Sequence, residues 1–379
     1  MHLVDITMFY APEGGGVSTY LNAKALWLAR RSRVRHTIMS PNVDSAGKAV
    51  PALVHLPGFN FPGIHGYRMP TTVAAPARLL QLARPDLVEA GDAGHCAWAT
   101  LRVRDRQGVP AVAFYHSDLP RLAEHRFGAL IARGTRHYLA NLYRQFDLVL
   151  APSRLMVQQL RDMGVDGALH QPLGIDSAVF RPQRRVETLR DHLRLPANAR
   201  LLVYAGRFTP EKKLNLLIDA VRKLGRPYHL VLVGGGDELP RYPQVSHIPF
   251  KRDQRQLARL LASCDVLVHP GDCETFGLIV LEAMACGLPV VGTRGGGVAE
   301  LVCDQTGLLA QPNSVDSLAE AIDAIYACDM ARLGANARRK AEEHYDWNRI
   351  LPQVLRRYGG LLAGRERAAL EVERICATD

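Results

Sequence analysis

The stretch Asp272–Glu300, DCETFGLIVLEAMACGLPVVGTRGGGVAE, decides how the rest of this chain is read. Its first residues form a polar loop carrying Glu274. FGLIVLEAMAC then repeats apolar residues at helical spacing, with Glu282 among them. Gly287 and Pro289 stop that helix, and PVVGT reads as a short buried strand. A helix opening at a polar loop offers backbone N–H groups, here from Phe276 through Gly277 to Leu278, to an anion above them. Phosphate is the first candidate.

Working outward, the residues before this stretch alternate between strand and helix. ARLLVYAGRF reads as a strand, LNLLIDAVRKL as a helix, YHLVLVGGGDE as a strand with a glycine turn, and RQLARLLASCDVLVHP as a helix and a strand. After it, GLLAQPNSVDSLAEAIDAIY gives a strand end, a turn and a helix, and the helical pattern continues with a break around Tyr345–Trp347. The tail from Gly364 is charged and helix-permissive, with a loosely ordered end expected. This half is therefore an α/β unit with a parallel sheet.

The N-terminal half repeats the arrangement. His2–Tyr10 reads as a strand, and Gly14, Gly15 and Gly16 precede a helix from about Val17, either as a plain tight turn or as a phosphate-binding one. HTIMSP is strand-like, Pro57–Pro70 a loop, and the helical pattern of Pro120–Gln145 mixes Arg121, Arg126, Arg133, Arg136 and Arg144 with apolar residues. That helix is either a basic surface for anionic lipid or simply a solvated face. PAVAFYHSDL runs a strand directly into His116, Ser117 and Asp118, at the strand end where α/β sheets collect ligands. Alone, such a histidine is more often structural. HQPLGIDSAVFRPQ (His170–Gln183) reads as the crossing between halves, which places domains at 1–172, joined by a C-terminal helix 350–379, and 173–349.

A length of 379 residues suits two such domains and a cleft between them. No apolar run approaches the roughly 18 residues of a spanning helix, and MHLVDITMFY lacks the basic start of a signal peptide, so a cytoplasmic protein is expected. The seven cysteines are scattered without metal or disulfide spacing, so no metal site is expected. A net charge of +10 suits an anionic partner, a membrane face or phosphorylated substrate, or solubility alone. Nucleic acid is disfavoured because no recognition motif or stacking-aromatic series is present.

Arg207, Lys212 and Lys213 follow the first strand of the second half, in GRFTPEKK. Fixed cations there suit a departing diphosphate that gains charge as its bond to a sugar breaks. Glu274 and Glu282, with seven residues between them, suit two sets of hydroxyls. Together these residues resemble the family 4 retaining glycosyltransferases of the GT-B fold, whose signature is Glu, seven residues, Glu. The GGG turn, YHSD, PLGID, AGRFTPEKK, LVGGG and TFGLIVLEAMACGLPVV also follow the family's order, so the resemblance spans nearly the whole chain.

The resemblance implies an α/β chain of two Rossmann-like doubly wound domains facing across a cleft. It implies that Glu274 contacts the transferred sugar and Glu282 the ribose, with Phe276, Gly277, Leu278, Arg207 and Lys212 on the diphosphate. It also implies that Gly15 and Gly16 reach donor and acceptor and that His116 lies near the reacting sugar. Where many relatives have glycine after the lysine this chain has Lys213, and register favours Lys212 as the phosphate ligand. Retention would ordinarily suggest a carboxylate nucleophile, for which Asp118 is the candidate, whereas the resemblance implies front-face departure and attack, without covalent intermediate, cofactor or essential metal. YHSD and PLGIDSAVFRP look more like the glycolipid-building branch. GDP-mannose is therefore the favoured donor, with a UDP-hexose behind it, and a lipid or glycan acceptor, with peripheral binding to an anionic membrane. The alternatives are a soluble sugar, sugar phosphate or metabolite as acceptor, or a non-catalytic glycan-binding scaffold.

Overall fold

The structure, a computed structural model, describes residues 1–11, 14–43, 51–60, 66–251 and 253–376, with side chains described as far as 364. The chain divides into two compact units, 1–172 with 347–379, and 173–346.

In the first unit the strands are β1 His2–Ile6, β2 Arg35–Ser40, β3 Ala52–His55, β4 Gly58–Asn60, β5 Arg68–Pro70, β6 Leu87–Ala90, β7 Ala111–Phe114, β8 Leu148–Ala151 and β9 Ala168–His170. The helices are α1 Gly16–Arg31, α2 Ala74–Ala83, α3 His95–Gln107, α4 Leu119–Phe127, α5 Ala129–Tyr143 and α6 Arg154–Asp162. Seven strands pair in parallel in the order β3-β2-β1-β6-β7-β8-β9. β1, β6 and β7 are buried end to end, as strands covered by helices on both faces must be. Within 57–70, expected to be a loop, β4 and β5 pair antiparallel, and residues 61–65 lie outside the described ones. The expected helix over 120–145 is two helices. Gly128, at φ 85°, ends α4 and starts α5 in a backbone conformation that glycine adopts freely.

The second unit holds β10 Arg200–Phe208, β11 Tyr228–Gly236, β12 Val245–Pro249, β13 Val266–Val268, β14 Val290–Thr293 and β15 Gly307–Ala310. Its helices are α7 Leu189–His192, α8 Leu214–Leu224, α9 Gln254–Ser263, α10 Leu278–Ala285, α11 Val298–Leu301, α12 Val315–Tyr326 and α13 Met330–Tyr345. The sheet is parallel, in the order β12-β11-β10-β13-β14-β15. The chain moves outward through β11 and β12, then returns to place β13 on the other side of β10. That reversal leaves a crevice at the carboxyl ends of β10 and β13, the place where open α/β sheets bind ligands. Gly234–Gly236 do not form a turn but continue β11 beside Gly206–Phe208. A Cβ on Gly234 would lie 1.8 Å from the Gly206 carbonyl oxygen, so these strands pair only with hydrogen there.

The last helix, α14 Trp347–Cys376, returns to the first unit. Its Tyr358 hydroxyl bonds to Glu89 on β6 and lies 3.0 Å from Lys24 of α1. The expectation for the tail's end, at 377–379, lies outside the described residues.

Candidate active site

In the second unit the site is assembled from three loops. β10 ends in Arg207 and Phe208, and a single 3-10 turn, Pro210–Lys212, carries Lys212 back toward the sheet. β13 hands over to His269 and then to the loop of Asp272 and Glu274. The third wall is Arg294–Gly297 after β14. Its glycines are explained by crowding: a Cβ on Gly295 would meet the Asp272 Cβ at 2.8 Å, and one on Gly297 the Thr275 carbonyl at 2.6 Å. The Gly297 N–H donates to the Glu274 carbonyl over 2.6 Å. The Glu274 loop is thus gripped by backbone from one side.

Lys212 Nζ donates to Glu274 Oε1, and the same oxygen lies 3.2 Å from His269 Nε2. Burial alone would raise the Glu274 carboxyl, but Lys212 and His269 outweigh it and hold the group well below the usual carboxylate range. Glu274 is therefore ionised, and its charge is fixed by two donors. His269 was not singled out in the sequence. Only a histidine placed directly after an apolar strand and five residues before Glu274 hinted at it. Because a carboxylate only accepts, the Nε2 atom carries the hydrogen.

Arg207 is exposed, and among the described residues its guanidinium pairs with no carboxylate. Lys213 turns away from Lys212, with its Nζ 2.5 Å from Asp272 Oδ1 and 2.6 Å from Asn313 Oδ1. α10 begins at Leu278, capped by Gly277 in the left-handed region at φ 97°. Phe276 is buried just before it. The first N–H groups of α10 lack partners within the helix, as at any helix start. Glu282, on the second turn of α10, is buried, and burial pushes its carboxyl up to about 8.

In the first unit, β1 runs to the glycine turn. Gly14 is forced, since a Cβ there would lie 2.3 Å from Ser18 Oγ, which already accepts from the Ala11 N–H. At Gly15 a Cβ would meet nothing within 4 Å. Its carbonyl accepts from Thr19 as α1 starts at Gly16. His116, just beyond β7, stacks on Phe114 with ring centres 4.2 Å apart. Burial, with the Lys24 ammonium adding to it, lowers the His116 pKa to about 3, so the imidazole is neutral at physiological pH. Asp118 caps α4, accepting from the Arg121 N–H at 3.2 Å. Lys24 itself is buried on Asp5 at 2.8 Å and Glu89 at 3.2 Å, a charge network that no local pattern announced.

Two α/β units with parallel sheets, with cations and carboxylates beside the reversal at β10 and β13, are the architecture of the GT-B glycosyltransferases, and similarity to known proteins supplies the activity. The model of the glycosyl transferases group 1 family matches residues 185–342, and that of glycosyltransferase family 4 matches residues 14–178. A GDP-mannose-dependent alpha-mannosyltransferase of Mycobacterium tuberculosis is 30% identical over 312 residues, covering 79% of this chain and 81% of that protein. Another protein of that organism, a GDP-mannose-dependent alpha-(1-6)-phosphatidylinositol dimannoside mannosyltransferase, is 28% identical over 95% of this chain and 97% of its own length. Sucrose-phosphate synthase from Thermosynechococcus elongatus superimposes with a TM-score of 0.81, at 23% identity, over 96% of this chain and 100% of that one. The chain belongs to the family 4, group 1 glycosyltransferases.

Proposed function

We propose that this glycosyltransferase moves a hexose, mannose from GDP-mannose, to a lipid or glycan acceptor with retention of configuration. The observation that carries the nucleotide-sugar reading is the Lys212–Glu274 pair together with the start of α10 and Arg207, which pairs with no carboxylate among the described residues. A diphosphate seated on the α10 N–H groups would meet Arg207 and Lys212 as its charge develops. Glu274, kept ionised, accepts from hydroxyls of the transferred sugar, and Glu282 accepts from the ribose. Within the first unit, the exposed Gly15 and the neutral His116, in the loops that follow β1 and β7, offer contacts to an acceptor. The mannose and GDP assignment is supported by the names of the mycobacterial relatives.

Chemistry follows by departure of the diphosphate and attack on the same face, with the leaving phosphate taking the acceptor proton. Asp118 accepts from the Arg121 N–H as the cap of α4, and this scheme, which has no covalent intermediate, gives it no further part. No metal is required in this scheme, and full activity after EDTA treatment is expected.

A lipid acceptor is supported by α4 and α5, which expose Phe127 (63%), Leu130 (81%) and Ile131 (50%) among Arg126, Arg133 and Arg136. Apolar side chains ringed by arginine suit the boundary of an anionic bilayer. Among the described residues no helix is long and apolar enough to cross a membrane, so the surface association proposed is peripheral, on a cytoplasmic face. A thermal-shift panel of nucleotide sugars tests the donor: GDP and GDP-mannose raise the melting temperature, and a response to UDP-hexoses alone would reassign it. Co-sedimentation with phosphatidylinositol vesicles at low salt tests the surface, and no binding there would remove the lipid assignment.

A further inference from the structure

Lys213 holds a conformation that does not suit it. Its φ of 53° and ψ of 40° lie in the left-handed region, where a lysine is strained and glycine is not. What the side chain gains in return is visible. From the end of β10 it reaches Asp272 in the loop after β13, at 2.5 Å, and Asn313 in the loop after β15, at 2.6 Å. Asn313 is itself left-handed, at φ 59°. Three loops leaving the same edge of one sheet are therefore joined through one ammonium. Asp272 is only 5% exposed and lies two residues before Glu274. Gly271, between His269 and Asp272, already packs on the 211–212 backbone, since a Cβ there would be 3.2 Å from the Glu211 carbonyl.

The Lys213 ammonium is held by Asp272 and Asn313, the Lys212 ammonium is held by Glu274, and among the described residues only the exposed Arg207 of the three cations pairs with no carboxylate. A buried carboxylate beside a diphosphate pocket would repel the donor unless a cation neutralised it. We propose that Lys213 is a positioning residue: it sets its charge against that of Asp272 and ties the Glu274 loop to the ends of β10 and β15, keeping the donor crevice in shape. The proposal rests on the nucleotide-sugar reading for its effect on binding, but the tie itself does not.

Two measurements on Lys213→Gly, Asp272→Asn and the double variant test it. Glycine accepts the left-handed backbone without strain, and Asp272→Asn is isosteric, so both variants keep the fold. In the ligand-free proteins, amide hydrogen exchange over 270–277 should quicken about tenfold in Lys213→Gly. The double variant should be no faster, as expected for two residues acting through one contact. Titrated with GDP and with UDP, Lys213→Gly should bind the preferred diphosphate about tenfold more weakly. Removing the Asp272 charge as well, in the double variant, should recover several-fold of that loss. Unchanged exchange in Lys213→Gly would overturn the tie, and multiplicative losses in the double variant would overturn the neutralisation and return Lys213 to a direct phosphate contact. If the unaltered protein binds neither diphosphate, the nucleotide-sugar reading fails, and the exchange result still decides the tie.

Discussion

Replacing Glu282 by glutamine should stabilise the protein increasingly as pH rises while weakening its hold on a nucleotide. Glu282 is 8% exposed, and burial alone carries its carboxyl from an ordinary 4.5 to about 8. Below pH 4.5 folded and unfolded chains both hold the proton. Between 4.5 and 8 the unfolded chain has released it and the folded chain has not, so stability is lost as pH rises through that window. Each unit corresponds to about 1.4 kcal/mol, which gives an upper bound of about 5 kcal/mol by pH 8. Glutamine has the same shape and no proton to lose, so the Glu282→Gln variant escapes this slope. Urea midpoints at pH 5, 6.5 and 8 should show a gap in favour of the variant that widens with pH. Calorimetry adds a second reading. If ribose hydroxyls are bound by the carboxylate, nucleotide binding at pH 7 must release a proton, and the apparent enthalpy will depend on the ionisation enthalpy of the buffer; in the variant that dependence disappears. Parallel denaturation curves for the two proteins would refute the reasoning, because they would mean that Glu282 is ionised in the fold.

Lys212→Ala should lower kcat/KM by about 10²- to 10³-fold, the loss of one preorganised donor to a developing charge, as read by initial rates with saturating acceptor. Gly15→Ala should leave the melting temperature within a degree or two, because its Cβ meets nothing, yet impair turnover; Gly14→Ala should lower the melting temperature, because its Cβ lies 2.3 Å from Ser18 Oγ. His116, lowered to about 3, supplies stability that is present above pH 6.5 and lost as pH falls toward 3. The stability difference between the unaltered protein and His116→Asn should therefore shrink on acidification, by about 1.4 kcal/mol per unit at most, and a constant difference would show that His116 titrates normally.

Much of the fold was legible because doubly wound sheets repeat a local pattern: apolar strand, turn, amphipathic helix. The stretch around Glu274 and Glu282 was readable for the same reason. What escaped reading depends on residues distant in the chain. Gly234–Gly236 looked like a turn, and only the neighbouring Gly206 carbonyl shows why side chains are excluded there. The Asp5, Lys24 and Glu89 network is held by the Tyr358 hydroxyl from α14, and pairings across such separations leave no periodicity to find. Gly128 did carry a local signal, a glycine inside a helical pattern, which the surrounding amphipathic run obscured. The left-handed backbone of Lys213, from which it reaches Asp272 and Asn313, is likewise a feature that spacing cannot reveal.

The central claim is that the crevice at the ends of β10 and β13 holds the diphosphate of a sugar donor. Calorimetric titration of GDP and GMP into the unaltered protein, Arg207→Ala and Lys212→Ala tests it most directly. The unaltered protein should bind GDP more tightly than GMP, and each variant should lose most of that preference while its affinity for GMP holds. Equal affinities for the two nucleotides, or a preference for GDP that survives both substitutions, would contradict that claim.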